Sequence, residues 1–150
     1  GILPGRQNRF ATVPKFWEFL EQKSKERVIV SSVLVLQELT DDDPDELGLW
    51  AKQQQGTLFL SPTEAVQQVL SQIVEDVKSN TNYASFWIHR FLGGADPWII
   101  AHAKALGGRV VTFEKPEPGS KKPKIPDVAA SFGVTCISLW DMLTELKASF

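Results

Sequence analysis

The chain has 150 residues, of which 43% are hydrophobic and 23% charged, a composition typical of a globular protein large enough to bury a core. A single cysteine excludes an internal disulfide, and with only two histidines there is no basis for a zinc cluster, so any bound metal would be held by oxygen. No apolar run is long enough to span a bilayer and no secretory signal is present, so we expect a cytoplasmic protein, which at a net charge of −2 would need a local basic patch to bind nucleic acid.

The first half of the chain alternates helical and strand patterns. In order, the patterns predict a helix in "PKFWEFLEQKSKER", a strand in "VIVSS", helices in "SSVLVLQELTDDD" and "DPDELGLWAKQQQG", and a strand in "TLFL". Pro14 suits the start of the first helix, and Ser31 or Ser32 can cap the second. Gly56 is expected as the C-terminal cap of the third.

The second half repeats the alternation. "SPTEAVQQVLSQIVEDVKSN" predicts a long helix with Ser61 as its cap, Pro62 at the first position and Glu64 completing a capping box. "ADPWIIAHAKALGG" predicts a helix and "RVVTF" a strand, followed by helix "IPDVAASFG", strand "VTCIS" and helix "LWDMLTELKASF". This order predicts one α/β domain over residues 1–150, with a parallel sheet whose strands end where ligands bind.

Several familiar sites have no anchor in the sequence. There is no dinucleotide fingerprint, no P-loop and no serine-hydrolase elbow. We interpret His102 as a packed core histidine and Cys136 as a small buried hydrophobe. The acids of "TDDDPDE" could bind a cation, but a solvated face matched to a helix dipole is the favoured interpretation.

Three carboxylates have both a structural and a functional interpretation. Asp96 before Pro97 is the ordinary start of a helix, and Glu114 stands where a strand meets water. Glu38 lies three and four residues after Val35 and Leu34, which places its charge on the face expected to be buried, where it would need a partner. Three acids at the ends of three α/β elements can instead converge on one Mg²⁺ or Mn²⁺ ion.

Two stretches resemble the PIN-domain nucleases. "GADPWIIAHAKALGGRVVTFEKP" resembles the central signature of that family, and "VSSVLVLQEL" is similar to its second motif. The likeness is closest to VapC-like toxins of toxin–antitoxin pairs, in a longer subgroup with a "TFEKP" strand exit. It implies a three-layer fold with a central parallel sheet flanked by helices. It also implies metal ligands at Glu38, Asp96 and Glu114, a further candidate at Asp127, and an orienting hydroxyl at Thr112.

The chain departs from that family at its start. The resemblance implies an opening strand with a first aspartate, but no acidic residue precedes Glu18. We therefore expect the first residues of strand one to lie upstream of Gly1, and the completeness of the site depends on them.

The activity implied by the resemblance is Mg²⁺- or Mn²⁺-dependent cleavage of RNA, with an antitoxin protein as partner and a homodimer as one option. Four lysines beside Glu114 could contact RNA phosphates, with a solvated loop as the alternative: Lys115, Lys121, Lys122 and Lys124. Phe86 and Trp87 could stack on bases, although core packing is favoured. Alternatives are a catalytically inert PIN-like module that binds protein or RNA, and a receiver-like domain, which Glu114 disfavours because a receiver needs a strand-end aspartate.

Overall fold

The computed structural model describes residues 14–40 and 45–148. The described residues separate into two compact units, one formed by residues 14–40 and 45–61 and the other by residues 62–148. The acidic run at residues 41–43 lies outside the described residues, as does the segment before Pro14. The expected single domain over residues 1–150 stays a prediction.

The first unit contains three described helices and one pair of short parallel strands. In chain order they are α1 (Pro14–Lys25), β1 (Ser31–Ser32), α2 (Val33–Thr40), α3 (Glu46–Gln53) and β2 (Phe59–Leu60). Strand β1 pairs with β2 so that Ser31 lies opposite Phe59. The core includes Trp17 and Trp50, whose rings meet edge to face with centroids 5.1 Å apart.

Polar side chains set the starts of two of these helices. The Ser32 hydroxyl accepts a hydrogen bond from the Leu34 amide at 3.2 Å, and Asp45 accepts one from the Gly48 amide at 2.8 Å. Both are helix-capping bonds, because the first amides of a helix have no partner within it. The predicted cap at Gly56 was wrong: α3 reaches its C-cap at Gln54, and Gly56 turns the chain toward β2 with φ +87°.

The second unit contains five helices and a second parallel pair. They are α4 (Glu64–Ser79), α5 (Ser85–Leu92), α6 (Asp96–Leu106), β3 (Val110–Val111), α7 (Ile125–Ser131), β4 (Cys136–Ile137) and α8 (Leu139–Glu145). Val110 lies opposite Cys136 in the β3–β4 pair. The core of this unit is centred on fully buried side chains of α4, α6 and α7, among them Ile73, Ile100 and Val128.

The predicted succession of helices and parallel strands is confirmed in outline, with differences at the ends of the elements. Helix α4 begins at Glu64 with Thr63 as its cap, so the predicted cap at Ser61 was wrong. Helix α5 was not predicted. Each described strand pairs over only two residues, which establishes a mixed fold with short parallel strands. Within residues 14–40 and 45–148, no helix combines the length and apolar character that crossing a membrane requires.

His102 is a buried histidine of α6, as predicted. Only 5% of its surface is exposed, and no described group makes a hydrogen bond to its Nε2. Burial lowers the pKa of His102 below its usual value, because a charged imidazolium is disfavoured away from water. The folded state therefore favours the neutral imidazole of His102, and protonation of this side chain opposes folding.

We expect the folded chain to lose stability as the pH falls through about 6.5, the usual histidine pKa in an unfolded chain, by up to about 1.4 kcal/mol per pH unit. His102→Leu removes this part of the loss because it removes the titrating group. Denaturant unfolding at about pH 7.5 and about pH 5.5 measures it, with the exposed His89→Leu as the matched control. Equal pH dependence in wild type and His102→Leu would contradict the assignment.

Candidate functional site

Glu114 follows strand β3 and connects it to helix α7. The Ile125 amide donates a hydrogen bond to Oε2 of Glu114 at 2.9 Å. Ile125 is the first residue of α7, so this amide has no acceptor within the helix. Glu114 therefore caps α7 from eleven residues away, and its charge lies where the helix dipole favours an anion. Glu114 is therefore more than a solvated residue at a strand end, and its role as a metal ligand stays a prediction.

Thr112 fixes the main chain immediately before that carboxylate. Its hydroxyl accepts a hydrogen bond from the Glu114 amide at 3.1 Å, and its own amide donates to the carbonyl of Ile137, the last residue of β4, at 3.0 Å. Glu114 is therefore held at its main chain by the Thr112 turn and at its carboxylate by the amide of Ile125. The orienting role proposed for Thr112 in an acidic site stays a prediction.

Cys136 lies on β4 near Glu114. Burial raises the pKa of its thiol, and the negative charge of Glu114 raises it further. The thiol is half-buried and packs against the core of the second unit. Because a protonated thiol is a weak nucleophile, Cys136 fits its predicted role as a small hydrophobe.

Asp127 stabilises the loop that joins β3 to α7. It lies in the first turn of α7, and its Oδ2 accepts a hydrogen bond from the Glu117 amide at 2.8 Å. Burial raises the pKa of Tyr83, and the charges of Asp127 and then Asp76 raise it further. The interpretation of Asp127 as a first-turn acid holds, and its role as a metal ligand stays a prediction.

Asp96 is the first residue of helix α6. The N-cap position belongs to Ala95, and buried Pro97 follows in the first turn. The half-buried Asp96 thus stands inside the helix start, one residue later than the cap position that its sequence suggested. An acid in a first turn is favoured by the helix dipole, with or without a second role.

Glu38 belongs to the first unit, whereas the other three acids belong to the second. It lies on α2, whose buried residues are Leu36 and Leu39, and its side chain is exposed. The expectation of a charge directed toward the core was wrong. The buried face of this short helix is formed by Leu36 and Leu39, and Glu38 points away from it. The argument that Glu38 needs a buried partner no longer applies.

The grouping of these acids into a metal centre stays a prediction. Within the described ranges, no three side chains of the His, Cys, Asp or Glu type form a group that could hold a metal ion. Glu114 and Asp127 each accept a backbone amide with one oxygen. A carboxylate has two oxygens and about four acceptor positions, so these bonds are compatible with a further ligand.

The lysine-rich loop, residues 115–124, is anchored on the connection between α4 and α5. The Ala84 amide donates to the carbonyl of Lys121 at 2.9 Å, and the Asn82 side chain donates to the carbonyl of Ser120 at 3.0 Å. Lys124 is half-buried, with its Nζ 3.8 Å from Oε2 of Glu117. The other three lysines, Lys115, Lys121 and Lys122, are exposed. The backbone of the loop is thus fixed by hydrogen bonds, and its exposed lysines make its surface positive.

Helix α5 places two aromatic rings beside this loop. Phe86 is 59% exposed and meets Trp87 edge to face with centroids 4.9 Å apart. Nζ of Lys122 lies 4.6 Å from the Trp87 ring centre, and Cζ of Arg90 lies 5.7 Å from that of Phe86. The expected core packing of Phe86 was wrong. The sequence signal that was missed is the spacing of Phe86 and Arg90, an aromatic residue and a cation at positions i and i+4 of a helix.

Comparison with known proteins gives one family match. Residues 4–150 match the family model described as "Domain of unknown function (DUF4411)", which covers nearly the whole chain. Neither a curated protein nor a solved structure matches the chain. The description assigns no activity, so function has to be inferred from the residues and their geometry.

Replacement of Glu114 separates its capping role from any other role. Glu114→Ala removes the acceptor for the Ile125 amide, and we expect it to lower the free energy of unfolding by about 1–2 kcal/mol. Glu114→Gln keeps an oxygen at that position and should cost clearly less. Urea unfolding of both variants measures the difference. Equal losses in the two variants would show that the capping bond contributes nothing.

Proposed function

We propose that this chain, which belongs to the family of the domain of unknown function DUF4411, is a divalent-metal-dependent endoribonuclease and the toxin of a toxin–antitoxin pair. The observation that supports it most directly is the fixation of Glu114. A carboxylate is held beyond the carboxyl end of a parallel strand, where ligands bind in α/β sheets, by the Ile125 amide and the Thr112 turn. The resemblance of the surrounding sequence to the PIN-domain signature gives that carboxylate its proposed chemistry.

The proposed metal ligands in the second unit are Asp96 and Glu114, with Asp127 as a further candidate, and Glu38 stays a candidate from the resemblance alone. Carboxylate oxygens suit Mg²⁺ or Mn²⁺ and fit a chain with so little cysteine and histidine. A bound ion of this kind supplies Lewis-acid chemistry for hydrolysis of a phosphodiester. Thr112 contributes by fixing the main chain at Glu114, which limits the positions that this carboxylate can take.

The finer fold belongs to the same proposal. We propose a three-layer arrangement with a central parallel sheet flanked by helices. The parallel pairing within each of the two strand pairs supports it, as do the helices that follow β1, β2 and β4 directly. The proposed partners are an RNA substrate and an antitoxin protein, with a homodimer as a further option.

A catalytically inert RNA- or protein-binding module is the second candidate. It is favoured by the hydrogen bonds that give Glu114 and Asp127 structural roles without any metal. The cationic loop and the aromatic surface of α5 would serve such a module equally well. The two candidates differ in one respect, which is whether the protein cleaves RNA.

Cleavage of RNA by the full-length protein should require Mg²⁺ or Mn²⁺ and stop when a chelator is added. Asp96→Asn and Glu114→Gln should lower the rate by at least about 100-fold, because each removes a charged ligand while keeping the shape of the side chain. Asp76→Asn, an exposed acid of α4, is the matched control. The rates are measured with a labelled RNA, and folding of each variant by circular dichroism.

Undiminished cleavage by folded Asp96→Asn and Glu114→Gln would restrict both residues to structural roles. If the wild type binds RNA but does not cleave it, either with or without Mg²⁺ or Mn²⁺, the inert module is favoured. A chelator-resistant cleavage would contradict the metal requirement itself.

The four lysines beside Glu114 are proposed to contact RNA phosphates, but with unequal effect. Changing exposed Lys121 to Ala should flatten the salt dependence of RNA binding by up to about one unit of log–log slope. Lys124→Ala should change the slope less, because Lys124 is half-buried and already lies near Glu117. Binding is measured over a salt series with chelator present. Identical slopes in wild type and Lys121→Ala would remove Lys121 from the RNA path.

A further inference from the structure

A surface that combines aromatic rings with cations is formed by helix α5 and the adjacent lysine-rich loop. We define the α5 surface by Phe86, Trp87, Arg90, Lys121 and Lys122. All but Trp87 are exposed, and Trp87 is half-exposed. The rings of Phe86 and Trp87 form one edge-to-face pair, with a cation beside each ring. The exposed Phe86 ring is thus part of a cluster of an aromatic pair with cations, and not a single exposed apolar side chain.

The charge of this surface selects an anionic ligand. Helix α5 spans "SFWIHRFL", which contains Arg90 and no acid. The lysine-rich loop contains one acid, Glu117, which lies near Lys124, and the Glu117 amide donates to Asp127 in the first turn of α7. Their charges are thus partly neutralised or engaged in hydrogen bonds, whereas Lys121 and Lys122 extend the positive side of the surface toward solvent. A polyanion fits this distribution.

The aromatic rings narrow the ligand further. A phosphate-only contact would need the cations but would leave the 59% exposed Phe86 ring without a function. Unpaired bases stack on aromatic rings and on the guanidinium plane of arginine, and they carry phosphates at a regular spacing. Paired bases cannot present their faces in this way. The arrangement therefore suits single-stranded nucleic acid and disfavours a duplex.

The surface is held in position before any ligand binds. The amide of Ala84, at the start of α5, donates to the carbonyl of Lys121, and the Ser120 hydroxyl accepts from the Lys122 amide at 3.1 Å. Lys122 lies over Trp87, which fixes the loop against the helix by a cation–π contact. The loop backbone and the Lys122 side chain therefore need little further ordering on binding, which lowers the entropic cost of the contact.

We propose that the α5 surface binds unpaired nucleotides of RNA, with at least one base stacked on Phe86 and phosphates placed near Arg90, Lys121 and Lys122. The choice of RNA over DNA rests on the proposed ribonuclease function, whereas the stacking does not. Because every base has an aromatic face, binding is tolerant of sequence. The surface would thus hold the substrate strand and leave the selection of the cleavage site to other residues.

Binding of a labelled, unstructured RNA of about 12 nucleotides to the full-length protein tests the inference by fluorescence anisotropy, with chelator present. Phe86→Ala should weaken binding by roughly 5- to 150-fold and leave the salt slope unchanged. Phe86→Trp should retain binding and Phe86→Leu should lose it, because only the former keeps an aromatic face. Trp140→Ala, which removes a 69% exposed aromatic from α8, is the matched control and should bind as wild type.

The cations are tested in the same assay. Arg90→Ala and Lys122→Ala should each flatten the salt dependence by up to about one unit of log–log slope. Lys104→Ala, an exposed cation of α6, is the matched control. An RNA duplex should bind more weakly than the single strand, and single-stranded DNA of the same sequence shows whether the ribose hydroxyl is read.

The outcomes distinguish this inference from the proposed function. If wild type cleaves RNA but Phe86→Ala binds and cleaves as well as Trp140→Ala, the α5 surface is overturned and the ribonuclease stands. If wild type does not cleave but binding depends on Phe86, the ribonuclease fails and the surface stands. Equal binding of duplex and single strand overturns the stacking, and so does binding of polyglutamate without binding of RNA, which would indicate an acidic protein partner.

Discussion

The hydrogen bond between Oε2 of Glu114 and the Ile125 amide is the constraint on which the connection between β3 and α7 depends. It joins the end of a strand to the start of the next helix and so closes the long connection between them. Inside that closed segment, Asp127 holds the Glu117 amide, and the loop carbonyls accept donors from the start of α5. The position of the lysines, and with it the cationic side of the α5 surface, follows from these hydrogen bonds together.

The same bond explains why structural and catalytic interpretations of Glu114 need not exclude each other. A carboxylate that caps a helix is already desolvated on one side and fixed in direction, which are conditions that a metal ligand also needs. Thr112 adds a hydroxyl beside it, whereas the half-buried Cys136 packs as an apolar side chain. Loss of activity after Glu114→Ala would therefore be ambiguous, whereas glutamine at this position keeps the cap and changes the charge.

Sequence patterns predicted the order of the elements better than their limits. The alternation of β-branched runs with amphipathic stretches is a local signal, so α1, α4 and the parallel strands were found. The helix starts were less accurate: Thr63 caps α4 instead of Ser61, because Ser, Thr and Asp are interchangeable as caps and only the backbone decides among neighbours. The buried face of an eight-residue helix such as α2 is equally hard to predict, and Glu38 proved to be exposed. Glu114 was singled out as a metal ligand, which stays a prediction. Its hydrogen-bond partner Ile125 lies eleven residues away, and no local pattern reveals such a bond. Helix α5 was missed because an exposed Phe86 resembles a core residue in sequence.

Two of the exposed lysines of the loop directly precede proline, Lys115 before Pro116 and Lys122 before Pro123. A residue before proline is restricted to extended backbone conformations, because the proline ring collides with the helical alternative. Pro123 is itself buried. Because proline also restricts the unfolded chain, less backbone entropy is lost when this loop is ordered than in a loop without proline. The two prolines thus lower the cost of holding Lys115 and Lys122 in place on the folded surface.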